Sequence, residues 1–340
     1  MRSAPRSRDL LVYVGTYTTN NSKGIYLYRL HWSSGELELI TSTSGVTNPS
    51  FLAIAPGRRH LYAVNEVEEF AGQQSGAVSA FAIDQRTGEL RLLNQQASRG
   101  GAPCYLVVDR TGKFVLVANY SGGNVAVLPI RVDGGLGAAS DVKQDIGSSV
   151  NPARQTGPHA HCIVLDPQNR FAYVCDLGTD KIMVYGFDRR RGKLNQGAIP
   201  WVKANPGAGP RHLTFHPGGR YAYVINELNE TVTVFLQDQS QGYLREIQTV
   251  ATLSGEVTSA DTGADIHASP DGRFLYCSNR GHDSITAFMI HPQRGTLTLI
   301  DHVSTGGKTP RNFAIDPTGT FLLVGNQNSN NILTFRLDPK

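Results

Sequence analysis

Six segments of this 340-residue chain repeat one pattern at a fixed offset. In each, an apolar run ends at a turn anchor. A Gly- or Arg-containing turn follows, and a second apolar run ends on Asn or Asp ten residues after the anchor. The anchors are Ala55, Asp109, Asp166, His216, Ser269 and Asp316, and the ends are Asn65, Asn119, Asp176, Asn226, Asn279 and Asn326. A gapless offset that recurs six times means one supersecondary unit used repeatedly. Two further strand-like stretches complete a unit. In the clearest case they are Gly76 to Ile83 and Glu89 to Asn94, joined by a turn-forming Asp84 to Gly88 stretch. Anchor spacings of 47 to 57 residues match a four-stranded propeller blade.

A seventh unit is split. Leu11 to Thr16 matches a second strand, and Gly24 to His31 and Glu36 to Thr41 supply a third and fourth, with no first strand. The last unit stops at Asp338 after its third strand. The expectation is an all-β, seven-bladed propeller of four-stranded antiparallel blades, one domain over residues 1–340, with residues 1–9 disordered. Finishing the last blade would take roughly 20 more residues. The chain therefore reads as truncated, or as a ring with an unusual, incomplete closure whose exposed strand edges invite dimerisation.

Length alone suggests about two or three domains, and the repeat overrides it. Charged residues are 18% and net charge is +4. The one basic run, Arg189 to Arg191, sits before Gly192 and reads as a solvated hairpin turn, which argues against a nucleic-acid partner. No run of 18 apolar residues and no signal-like N-terminal segment occurs, so neither a membrane partner nor export is expected. Cys104, Cys162, Cys175 and Cys277 lack a C-x-x-C spacing and read as reduced thiols of a cytoplasmic protein.

In a propeller the first strand of each blade lines the central channel, so matched positions map that channel. Five residues before the anchors stand Ser50, Cys104, His161, Arg211, Ala264 and Arg311. After the Asn or Asp position stand Tyr17, Glu66, Tyr120, Leu177, Glu227, Arg280 and Gln327. Two places before the anchors stand Ala53, Val107, Val164, Thr214, His267 and Ala314. His161, Arg211, Glu227, His267, Arg280 and Arg311 come from consecutive units and are expected to converge on one mouth. Buried arginines need an anion or a carboxylate. An internal salt-bridge network, such as Arg211 with Glu227, would satisfy some of them. Three arginines against one glutamate leave positive charge over, which favours an anionic ligand. His159 and His161 share a strand face, but no ligand set for zinc is completed around them, so no metal is expected. His212 should point away from Arg211 by strand alternation and reads as structural. Glu66 shares the slot of Glu227, in a unit without an Arg or His partner. No G-x-S-x-G, Walker or G-x-G-x-x-G motif occurs.

Gly157 to His161, Gly209 to His212, Asn226 to Asn229, Ala264 to His267, Ser278 to Arg280 and Thr309 to Asn312 together resemble the lactonase seven-bladed propeller family. That family includes propeller-type 6-phosphogluconolactonases and a fungal carboxymuconate-lactonising enzyme. The resemblance spans essentially the whole chain. It implies catalytic roles for His161, Arg211 and Glu227. Arg280 is a further anion contact, and His267, Arg311 and His159 are expected to touch substrate. The implied reaction is cofactor-free and metal-free opening of a small anionic lactone, with 6-phosphogluconolactone as the leading substrate. Glu227 or His161 would assist water, and arginines would hold the anion. A muconate-type cycloisomerase and a non-catalytic propeller that binds a small anion or a protein are the alternatives.

Overall fold

The computed structural model describes residues 9–19, 21–255 and 258–338, and every regular element among them is a β-strand. Besides a two-stranded hairpin of Glu69–Phe70 with Gln73–Gln74, the described residues form seven antiparallel sheets that follow one another along the chain, one for each sequence unit. Five have four strands. The first sheet has three, Leu10–Val14, Ile25–Leu30 and Leu37–Thr43. The last also has three, Pro310–Ile315, Phe321–Asn326 and Asn331–Arg336. The first therefore lacks an inner strand and the last an outer one among the described residues. The other inner strands are Leu52–Ile54, Pro103–Val108, Ala160–Leu165, Pro210–Phe215 and Thr262–Ala268, close to the positions expected from the repeat. Of the N-terminal stretch expected to be disordered, residues 1–8 lie outside the described residues. Asp9 is held in place, accepting a hydrogen bond from the Trp32 backbone N–H at 3.0 Å.

The ten-residue offset has a hydrogen-bonding cause. At the anchor, Asp109 accepts the backbone N–H groups of Thr111, Lys113 and Phe114 at 2.8–2.9 Å and so builds the turn itself. Asp316 does the same for Thr318, Thr320 and Phe321. At the other end, Asn226 donates to the Thr231 and Thr233 hydroxyls, and Asn279 to those of Ser284 and Thr286. Each locks the second strand to the third. The second strands carry the longest apolar runs because they are covered on both faces: all six residues of Phe114–Asn119 and of Tyr221–Asn226 are buried.

Apolar clusters fill the gaps between neighbouring blades, seven clusters for seven contacts. At the seam between the last and first blades, Phe321 and Leu323 pack on Leu30, with Leu10, Val12, Trp32 and Leu37 around them. The Trp32 and Phe321 rings meet edge to face at 5.5 Å. A Cβ on Gly35, where φ is +79°, would come within 2.9 Å of the Phe321 ring, so this turn requires glycine. The two seam blades share no strand, and side-chain packing closes the ring.

One irregularity sets up the site. Near their starts, the inner strands skip a residue in register against the second strand, leaving Cys104, His161, Arg211 and Arg311 unpaired. In the sixth blade the skip spans both Ala264 and Asp265. Such a bulge breaks the in-out alternation and re-aims consecutive side chains.

Candidate active site

The bulge corrects the expectation for His212. Instead of pointing away from Arg211, its Nε2 lies 3.4 Å from Arg211 Nη1. Its ring meets those of Tyr105 at 5.0 Å, His161 at 5.2 Å and Phe51 at 6.1 Å. Phe51 and Tyr105 are themselves 4.1 Å apart. Rings from the second, third, fourth and fifth blades thus meet in the middle of the channel.

On one side of these rings lies a cluster of arginines around Glu227, which is buried. Its Oε1 accepts from Arg154 Nη2 at 2.5 Å, and its Oε2 accepts from Arg211 Nε at 2.9 Å. Arg280 Nη2 stands 2.9 Å from the same Oε2. Burial alone would raise the carboxyl, but Arg280, Arg211 and Arg154 outweigh it and hold its pKa at about 2. Arg211 is 1% exposed. Burial and the charges of Arg280 and Arg311 bring it down to about 10, so it stays cationic at neutral pH. Its Nη1 also donates to the Ala264 carbonyl at 2.5 Å, while its Nη2 has no acceptor among the described residues. Arg280 Nη2 donates to the Gly263 carbonyl at 3.1 Å, and its buried Nε has no partner among the described residues.

Arg154 is the residue that the repeat comparison missed. It sits in the 146–159 loop, which is longer than the matching connection in any other unit. The only signal was local: Asn151 builds a turn there, its side chain accepting the Ala153 and Arg154 N–H groups. Arg311 lies at the same mouth from the last blade. Its guanidinium stacks over Tyr17 at 5.6 Å and stands 3.9 Å from Glu66 Oε1. Glu66, expected to lack an Arg partner, gains one from across the seam, because the ring brings the last and second blades together on either side of the first. Tyr17 and Ser50 also donate to its Oε2, at 2.8 and 2.5 Å. Four guanidinium groups against two carboxylates leave two positive charges over at this mouth.

His161 is buried beside this cluster. Burial, then the charges of Arg211, His212, Arg311 and Arg280, push its pKa well below the usual imidazole range, so the ring is neutral at pH 7. Its Nδ1 lies 3.7 Å from Cys104 Sγ, and its Nε2 has no hydrogen-bond partner among the described residues. Tyr120 sits edge-on to His161 at 5.5 Å and stacks face to face on His159 at 4.4 Å. His159 Nδ1 is 3.1 Å from the Tyr120 carbonyl. The two histidines do not point at a common centre. Among the described residues no group of three or more His, Cys, Asp or Glu side chains is placed to hold a metal ion.

His267 does not join the others at the arginine mouth. With Val107, Val164 and Thr214 it lines a cavity of about 280 Å³ at the end of the channel where the inner strands run into their anchor turns, near Arg110, Pro167 and His216. Its matched position is three residues further along the strand than that of Arg211, which puts it at the opposite end. His212 and Asp265 line the same cavity and link it to the arginine cluster: Asp265 Oδ2 is 3.1 Å from His267 Nε2 and its Oδ1 is 2.8 Å from His212 Nδ1.

Residues 11–340 match the family model described as lactonase, 7-bladed beta-propeller. The chain is 38% identical to a Bacillus subtilis protein named 6-phosphogluconolactonase, with 96% of this chain and 91% of that one covered. It is 37% identical to a Formosa agariphila protein of the same name, over 96% and 92% of the two chains. Among solved structures, the periplasmic gluconolactonase of Pseudomonas aeruginosa superposes with a TM-score of 0.92 at 35% identity, covering 98% of this chain and 93% of that one.

Proposed function

The chain belongs to the seven-bladed β-propeller lactonase family, and on that premise we propose that it hydrolyses a small anionic sugar lactone, with 6-phosphogluconolactone as its substrate, at the arginine mouth of the channel. The observation that carries this reading is the surplus of guanidinium charge around Glu227 and Glu66 with a neutral His161 beside it.

The roles follow from what each group has left to give. Arg280 and Arg311 take the substrate phosphate through their guanidinium groups. Arg211 Nη2 donates to the lactone carbonyl oxygen and stabilises the negative charge that builds there. His161 Nε2 accepts a proton from water as the oxygen attacks the carbonyl carbon. The same proton then goes to the ring oxygen as the ester bond breaks, giving the open hydroxy acid. Glu227 is the weaker candidate for the base, because both its oxygens are occupied by arginines and its basicity is low. Its role is to hold Arg154, Arg211 and Arg280 together without crossing out their charge. His159 and Tyr120 form the wall against which the sugar lies. In this reading arginines supply the electrophilic assistance, and neither cofactor nor metal is invoked.

Four buried, unbridged cysteines support a reducing compartment, the cytoplasm, as the place of action. Two of them, Cys162 and Cys175, face each other on neighbouring strands. Purified protein assayed for ring opening of 6-phosphogluconolactone, gluconolactone and carboxymuconolactone tests the reading. The phosphorylated lactone should be turned over with the highest kcat/KM, and a rate no higher than spontaneous opening for all three would refute it.

A further inference from the structure

We infer that Asp265 is a positioning residue for Arg211, acting through the tautomer of His212. The inference rests on the lactonase reading for its kinetic consequence but not for its geometry.

Asp265 is 2% exposed and lies in the one inner-strand bulge that skips two residues. Ser278 is the bulge's only counterpart on the second strand, so the excess is one residue, as at the His212 bulge; it breaks strand alternation, and the Asp265 carboxylate meets the His212 ring. Five donors surround it. They are His212 Nδ1 at 2.8 Å, His267 Nε2 at 3.1 Å, Asn312 Nδ2 at 2.5 Å, and the backbone N–H groups of Ile266 and Phe313 at 3.0 and 3.2 Å. A carboxylate so surrounded is ionised and can only accept. His212 must therefore carry a proton on Nδ1. Burial and the charge of Arg211 keep that ring from taking a second one, lowering its pKa to about 4. Its Nε2 is left as a bare lone pair, 3.4 Å from Arg211 Nη1. A guanidinium can only donate, so this tautomer alone fits between Asp265 and Arg211.

The same bulge holds Arg211 twice. The Ala264 carbonyl accepts from Nη1 directly, and Asp265 presents His212 to the same nitrogen. With Nε on Glu227, three acceptors fix the guanidinium plane and leave Nη2 as its one free edge. An edge fixed this way can meet a developing oxyanion without reorganising, which is where such donors gain their effect.

The test combines nuclear magnetic resonance with kinetics on the full chain. In the wild type at pH 7, ¹⁵N shifts of His212 should report a neutral ring protonated on Nδ1. A ring protonated on Nε2, or on both nitrogens, overturns the proposal without any variant. In Asp265→Asn, and separately in His212→Phe, the buried Arg211 Nε–H should exchange with solvent about tenfold faster or more, as expected when a buried network loses a member. Unchanged Arg211 exchange in a folded Asp265→Asn also overturns it. In the lactonase assay both variants should lose about tenfold or more in kcat/KM. The double variant should be no worse than the poorer single one, because both act through the same ring. Losses that multiply would show that Asp265 acts by another route. Intact resonance results with no lactone turnover in the wild type would count against the lactonase reading alone and uphold the positioning role.

Discussion

Arg211 Nε donates to Glu227 Oε2 across 2.9 Å, and both side chains are at least 95% buried. Two other arginines, Arg154 and Arg280, hold the same carboxylate. A buried ion pair of this kind contributes little net stability when intact, yet breaking it leaves charge without compensation. Here the carboxylate keeps three like charges in one place, and the site's anion affinity depends on that concentration.

Glu227→Gln should therefore cost stability first. Removing one partner of a buried pair costs about 3–5 kcal/mol, and a urea melt should show a loss in that range. Inorganic phosphate should still bind, since every positive charge remains. A variant as stable as the wild type would show that the arginines do not need the carboxylate.

His161→Gln should act on turnover. Loss of a general base lowers kcat by roughly 10²–10⁴-fold, with KM moving far less and the far-UV spectrum unchanged. The pH profile carries the same information. Burial and the nearby arginines hold His161 well below the ordinary imidazole range, so the base form is present across neutral pH. The kcat of the wild type should be flat from about pH 6 to 8 and fall only in more acidic solution. An inflection near the free-histidine pKa would point to a different base.

Arg280→Ala should raise KM. A desolvated arginine that meets an anion is worth on the order of 2–5 kcal/mol, and the loss should appear in kcat/KM for a phosphorylated lactone. For the unphosphorylated lactone the loss should be much smaller. Equal losses on both substrates would place the phosphate elsewhere.

Glu230 predicts a pH slope in stability. It is fully buried, its Oε2 accepts from the Thr252 hydroxyl, its Oε1 has no partner among the described residues, and burial raises its pKa to about 7. The folded state therefore keeps a proton that the unfolded chain releases near pH 4.5. Its contribution is most favourable below that pH and is lost as pH rises to about 7, a change of about 3 kcal/mol. Glu230→Gln should flatten this slope and raise the melting temperature at pH 8. An unchanged slope in thermal melts between pH 5 and 8 would assign it to other groups.

Much of this was readable in the sequence. The ten-residue offset carried the seven blades, because its two ends, Asp109 and Asn226 among them, build turns through their own side chains. Matched positions brought His161, Arg211, Glu227, Arg280 and Arg311 to one mouth. The rest depended on features without period. Arg154 comes from a connection that is longer here than in any other unit. The bulge at Arg211 sends His212 into the channel, against strand alternation. Glu66 meets Arg311 only because the ring closes between residues far apart in the chain. His267 sits three positions further along its strand than the arginine level, and this depth difference puts it in the opposite cavity.

In the proposed reaction, surplus guanidinium groups and a neutral His161 at one mouth open an anionic lactone. Base uptake in a pH-stat tests it most directly, with 6-phosphogluconolactone supplied to the wild type and to His161→Gln and Arg280→Ala. Enzyme-dependent acid release is expected, falling in kcat for His161→Gln and in apparent affinity for Arg280→Ala. Acid release at the spontaneous rate with the wild type, or undiminished release with both variants, would contradict it.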